Sequence, residues 1–225
     1  MAGSAVSREQ FAGYVTRVAA AIKEMITEGL AHPTPFEIET AVAFLFFAEE
    51  KCDLVILEVG MGGNLDATNI IRNTVLAVLV PISMDHQAFL GNTLSEIAEK
   101  KAGIIKPGCS VVTVGQQPET MAVIERVCRE NGADLTEADL HEAKAVKEDF
   151  AGQTLEYRGE NYELALAGSY QDGECSTWHW RHLRRWTSRI STTVEQRKKR
   201  SEGYEMEWTS DNHSQRAFVY CGRST

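Results

Sequence analysis

The chain has 225 residues, enough for one ordinary domain or slightly more with a substantial core. Hydrophobic residues make up 43% and charged residues 24%, the balance of a soluble globular protein, and no apolar run reaches the roughly 20 residues of a membrane span. The net charge of −9 belongs to an acidic body that ends near residue 172, and an acidic body argues against duplex nucleic acid as a main partner.

The first predicted element is a helix in "SREQFAGYVTRVAAAIKEMITEGL". Ser7 and Gln10 form a capping box. Phe11, Tyr14, Val15, Val18, Ile22, Met25 and Ile26 share a face, and Gly29 stops the helix. The second helix lies in "HPTPFEIETAVAFLFFAEEK", with Thr34 as N-cap, Pro35 first and Glu37 closing the box. Its apolar residues run nearly all the way round, so burial on most sides is expected.

"CDLVILEVG" and "TVLAVLVPIS" are short continuous apolar runs, the pattern of central parallel strands covered on both faces. A short helix follows in "NTLSEIAEKKAGIIKPG", capped by Thr93 and Glu96. "CSVVTVG" is a third strand and "PETMAVIERVCRENGA" another amphipathic helix. This alternation implies an α/β fold with a parallel sheet. After Asp134 the rhythm changes, and "DFAGQTLEYRGENYELALAG" reads as a hairpin turning near Gly159.

From Gly173 the pattern breaks. All four tryptophans lie beyond it, and Leu183, Ile190, Val194 and Val219 are its only Leu, Ile or Val. A segment so poor in aliphatics offers little to offset its ordering entropy. Residues 173–225 therefore read as an irregular tail, disordered or translated out of frame. The five cysteines are scattered and odd in number, which suits reduced thiols in a cytosol. The N-terminus has no charged start followed by an apolar core, so no signal peptide is expected.

Ligands of an open parallel sheet collect at the carboxyl ends of its strands. Glu58 ends the first run, and Asp85 and His86 follow the second, so they share an edge. A carboxylate and an imidazole there can hold a hard divalent cation, with phosphate oxygens and water completing the shell. Periodicity alone favours the plainer reading, a loop of polar strand-end residues with His86 satisfied by a backbone partner. Gly60, Gly62 and Gly63 would let the backbone approach a ligand closely. By spacing alone Lys100 and Lys101 read as a solvated helix end favoured by the dipole. No G-x-x-x-x-G-K-[ST] string occurs, which argues against an autonomous ATPase.

"HPTPFEIETAVAFLFFAEEKCDLVILEVGMGGNLDATNII" and "SMDHQAFLGNTLSEIAEKKAGIIKPG" closely resemble the folylpolyglutamate synthase/dihydrofolate synthase family of the Mur ligase superfamily. The resemblance covers roughly residues 10–172, and "LALAGSYQ" is similar to the end of that family's ATPase section. It implies a partial parallel-sheet, P-loop-type Mur ligase ATPase domain over residues 1–172, with a β-hairpin. It also implies an ATP-dependent amide ligase, in which an acyl phosphate forms on folate or dihydropteroate and L-glutamate attacks it. Mg2+ and ATP are the implied cofactor and co-substrate. By motif, Glu58 and His86 match the metal ligands. Lys101 matches a lysine that the family carbamylates. Thr34, Phe36 and Asp66 match the pterin-side pocket.

Three departures stand out, one being that after "GSYQ" the family continues into a helix and a C-terminal α/β domain, which residues 173–225 do not resemble. The family's P-loop precedes the matched blocks and is not in this chain. Asn64 stands where the family has arginine in "GGRLDATN", so a fixed charge near the substrate is lost. The resemblance thus implies a monomeric ligase of which this chain is an inactive part, and composition adds that it is cytoplasmic and free of nucleic acid and membrane. A related ligase of cell-wall synthesis and a fragment that binds nothing are the alternatives.

Overall fold

The computed structural model describes residues 5–52, 54–84, 86–138, 143–149, 152–157, 159–164 and 216–221. Asp85, the "LALAGSYQ" end from residue 165 onward and most of the tail lie outside the described residues.

The chain opens with two helices, α1 (Arg8–Thr27) and α2 (Pro35–Glu49). Both start with the expected capping boxes, Ser7 with Gln10 and Thr34 with Glu37, and Gly29 takes the left-handed conformation after α1. The faces are less buried than their patterns imply. On α1 only Tyr14 and Val18 are buried, while Phe11, Val15 and Ile26 are exposed. On α2 only Val42 is fully buried. The reason is that α2 divides its apolar girdle between two partners. Ile38, Ala41, Leu45 and Phe46 face α1, and Phe44 and Phe47 face the first strand.

A five-stranded parallel sheet follows. Its members are β1 (Leu54–Glu58), β2 (Thr74–Leu79), β3 (Ser110–Val114), β4 (Asp134–Ala138) and, far along the chain, β8 (Arg216–Cys221). The order is β1-β8-β2-β3-β4. Every residue of β2 is buried, as its apolar run predicts. β1 departs from expectation: it is an edge strand, covered on one face through Val55 and Leu57, with Ile56 left 56% exposed on the other.

The tail also differs from its reading. Arg216–Cys221 is a strand, parallel to both neighbours and seated between them, with Val219 in register with Leu57 and with Ala77. β1 and β2 are therefore joined through β8. The low aliphatic content of the whole segment hides this. A strand needs only about five or six residues, and "RAFVYC" is a short β-prone run inside a polar stretch.

Between the strands lie α3 (Gln87–Leu90), α4 (Leu94–Ala102), capped by Thr93 and Glu96, and α5 (Pro118–Asn131). Leu57 and Ala77 share a face of the sheet, since both pair with Val219. On it Ala77, Leu79 and Val111 pack with Ile97 and Ala102 of α4, Ile124 and Cys128 of α5, and Ile104. The other face carries Leu76, Val78, Val112, Val114 and Ala138. Burying a Leu, Ile or Val side chain contributes about 1.5–3 kcal/mol, so this two-sided core is the main source of cohesion. A second, antiparallel sheet joins β5 (Ala143–Asp149), β6 (Gly152–Tyr157) and β7 (Glu160–Leu164). Tyr157 pairs with Glu160 around Gly159 (φ 77°), the expected hairpin. No described helix is long and apolar enough to cross a membrane.

Candidate functional site

The site is built on the loop from Val59 to Ile71, which leaves β1 at its carboxyl end. Three glycines let that loop press against three helices. A Cβ on Gly60 would lie 2.7 Å from Cζ of Phe36, on α2. One on Gly62 would lie 2.9 Å from Cδ2 of Leu90, on α3, and Gly62 also holds φ 70°, which side chains disfavour. One on Gly63 would lie 2.7 Å from the carbonyl oxygen of Lys100 and 2.9 Å from that of Lys101, both on α4. The close approach inferred from these glycines is real, but protein groups rather than a ligand take it up.

Asp66 organises the loop from within. One carboxylate oxygen accepts from the Met61 amide at 2.8 Å. The other accepts from the Thr68 amide at 2.9 Å and from the Thr68 hydroxyl at 2.6 Å. It also caps the 3-10 turn Ala67–Ile70. Asn64 donates its amide to the Lys100 carbonyl at 2.9 Å. Met61, Leu65 and Ile70 leave this loop exposed, as does Phe36 beside it. An apolar, partly aromatic surface therefore borders the loop.

The proposed ligand residues enter from the strands and helices around it. Glu58 is exposed at the end of β1. His86 is half-buried at the start of α3, with a left-handed backbone (φ 48°, ψ 39°) that a non-glycine residue adopts at a cost. Among the described residues no group of three or more His, Cys, Asp or Glu converges as a metal cage. Magnesium characteristically keeps waters and phosphate oxygens and takes few protein donors. One carboxylate and one imidazole fit that donor count.

Lys101 is 8% exposed and is the only charged side chain among the buried described residues. Burying an ammonium is costly unless it is paired, and spacing alone, which read Lys101 as a solvated helix end, did not show this burial. Thr34 spends its hydroxyl on the cap, accepting from the Glu37 amide at 3.3 Å and donating to the Glu37 carboxylate at 2.8 Å. Those bonds, first that from the Thr34 backbone, hold the Glu37 carboxyl below its ordinary pKa. The structure thus gathers Phe36, Asp66, Lys101 and the helix begun by His86 around one loop, with Thr34 at its margin. Sequence reasoning passed over Leu90, Asn69 and Gly103, which hold the loop in place. Asn69 lies inside the "LDATN" string, but a string does not show which carbonyls its amide will reach.

The chain is similar to known proteins in sequence and in fold. No protein-family model matches the chain. A dihydrofolate synthase/folylpolyglutamate synthase of Bacillus subtilis is 37% identical over 178 residues, spanning 75% of this chain and 41% of that protein. A folylpolyglutamate synthase of Arabidopsis thaliana is 41% identical over 166 residues, spanning 74% and 26%. The matched part of the chain belongs to the folylpolyglutamate synthase/dihydrofolate synthase family. A solved folylpolyglutamate synthase from Thermotoga maritima superposes with a TM-score of 0.64 at 29% identity, over 76% of this chain and 40% of that one. A complex of a folylpolyglutamate synthase with AMPPCP and folate superposes at 0.62 and 33%, over 72% and 41%. The fold is therefore that of a Mur-type ligase. The chain spans about two fifths or less of these folylpolyglutamate synthase relatives.

Proposed function

We propose that this chain carries the metal- and pterin-side part of an ATP-dependent amide ligase, which adds L-glutamate to folate or to dihydropteroate through an acyl phosphate. The carrying observation is the glycine loop after Glu58, wedged against the three helices that bear Phe36, His86 and Lys101. In this reading Glu58 and His86 hold Mg2+, which when bound neutralises charge on the transferring phosphoryl group. Lys101, as a carbamate, supplies an acceptor to the same region. Phe36 offers its face to the pterin ring. The Asp66 carboxylate, already accepting three bonds, retains lone-pair capacity for a pterin donor. Residues 1–172 form the catalytic-domain part of a cytoplasmic monomer that needs no nucleic acid.

None of the 225 residues forms a G-x-x-x-x-G-K-[ST] string, so this polypeptide by itself is proposed to bind without turning over ATP. Isothermal titration of the full chain tests the reading. Folate or dihydropteroate is expected to bind, and Phe36→Ala to weaken binding about tenfold through loss of ring contact. A chain that takes a nucleotide-sugar precursor and no pterin would be a cell-wall ligase instead. Glutamate-dependent ATP turnover by the purified chain would contradict the absence of activity.

A further inference from the structure

Asn69 closes the loop. Its side-chain nitrogen donates to the carbonyl of Asn64 at 3.1 Å and to the carbonyl of Gly103 at 3.2 Å. A primary amide has two donor hydrogens, and these two carbonyls take both. The amide oxygen is buried and meets no hydrogen-bond donor. Turning the amide over would aim that oxygen at two other carbonyl oxygens, so its orientation is fixed by chemistry rather than by choice.

The two carbonyls belong to different pieces of the site. Asn64 lies in the glycine loop. Gly103 is the C-cap of α4, immediately after the turn with Lys100 and Lys101. Backbone meets backbone at this seam: a Cβ on Gly103 would lie 2.6 Å from Cβ and 2.7 Å from Cα of Asn64. The Asn64 amide is bonded to the Lys100 carbonyl across the same gap. Lys106 also donates to the Gly103 carbonyl, at 3.1 Å, so this oxygen anchors two side chains.

We infer that Asn69 is a positioning residue that clamps the glycine loop onto the C-terminal end of α4, and so sets Glu58 and Asp66 relative to Lys101. This rests on the proposed assignment of Glu58, His86 and Lys101 to one metal-bearing edge. The clamp depends on two donors at one place rather than on volume. Asn69→Asp keeps the shape but replaces both donors with acceptors facing carbonyls. Asn69→Ala merely removes them. A clamp therefore makes the aspartate variant the worse of the two, and a space-filling residue makes the alanine variant worse.

The test uses the full chain, with backbone amide exchange and Mn2+ binding followed by electron paramagnetic resonance. Exchange of the Asn64 amide should speed up about tenfold in Asn69→Ala and more in Asn69→Asp, with the β3 amides unchanged. Mn2+ should bind about tenfold more weakly to both variants. In the wild type the Asn69 side-chain amide protons should themselves exchange slowly. Free exchange of those protons would overturn the clamp without recourse to any variant, even if both variants failed to fold. So would an aspartate variant milder than the alanine one. Asn64 amide exchange that responds to the two variants as expected, together with no Mn2+ uptake by the wild-type chain, would uphold the clamp and remove the metal assignment instead.

Discussion

A Cβ placed on Gly63 meets the carbonyl oxygens of Lys100 and Lys101, which are backbone atoms and cannot swing aside. Gly13 lies in the exposed interior of α1 with nothing within 4 Å of its ideal Cβ. The same substitution should then act in opposite directions. Gly63→Ala forces apart the loop and α4, an overpacking that typically costs about 1–3 kcal/mol, or roughly 2–10 °C in a chain of this size. Gly13→Ala removes backbone freedom from the unfolded chain and should stabilise by about 0.5–1 kcal/mol. Differential scanning calorimetry of the two variants decides it, and a shift of the same sign in both would refute the packing account. This scale also shows what the sequence conveyed of the site. Glu58, His86, Lys101, Phe36, Asp66 and Thr34 are proposed because the motifs that hold them are specific to the resembled family. That Asp66 folds its own loop, and that the glycines admit helices, was not legible. Both depend on which element arrives opposite, and that is set by tertiary packing rather than by local pattern.

At the scale of elements, local chemistry read correctly wherever the answer was local. The three capping boxes, the stop at Gly29 and the Gly159 hairpin follow from side chains within a few residues of each other. β2 was also legible, because a strand buried on both faces has no polar phase. β1 has the same apolar run and yet lies at an edge, so composition cannot tell a central strand from an edge strand that keeps Ile56 exposed. β8 was invisible for a related reason. Its partners lie more than 130 residues away in sequence, and nothing local marks which short apolar run will fill the position between them. That position makes a sharp prediction. Proline lacks the amide hydrogen that a central strand must donate. Val219→Pro should release β8 and strip exchange protection from β1 and β8 together, while β2, β3 and β4 keep theirs in their remaining pairs. Protection of β1 that survives the substitution would show that β8 does not join it to the sheet.

For the whole molecule, the decisive contact is the one that binds α4 and α5 to the sheet, and two cysteines report on it. Cys109 and Cys128 are buried in the same apolar cluster as Leu79, Ile97, Ile104 and Ile124. Burial pushes the Cys128 thiol up to about 11, with Cys109 beside it adding to the effect. The charged form is thus disfavoured in the folded chain. Unfolding restores an ordinary thiol, with a pKa of about 8.5. The folded state therefore holds its proton where the unfolded state has lost it. The stability this group contributes is complete below the unfolded value and is lost as pH rises through the folded one. Tyr14 is likewise pushed up, by burial and by its bond to Glu49, and acts with the same sign, so the wild-type slope alone is not diagnostic. Cys128→Ala isolates the cysteine. It should lower stability near pH 8, because it leaves a small void in the cluster. It should also flatten the decline between about pH 9 and 11, because the group that titrates is gone. Urea midpoints of the two chains should accordingly draw together as pH rises through that window. Midpoints that stay a constant distance apart would mean that α5 opens to solvent without the rest of the core, and that the cluster does not unfold as one body.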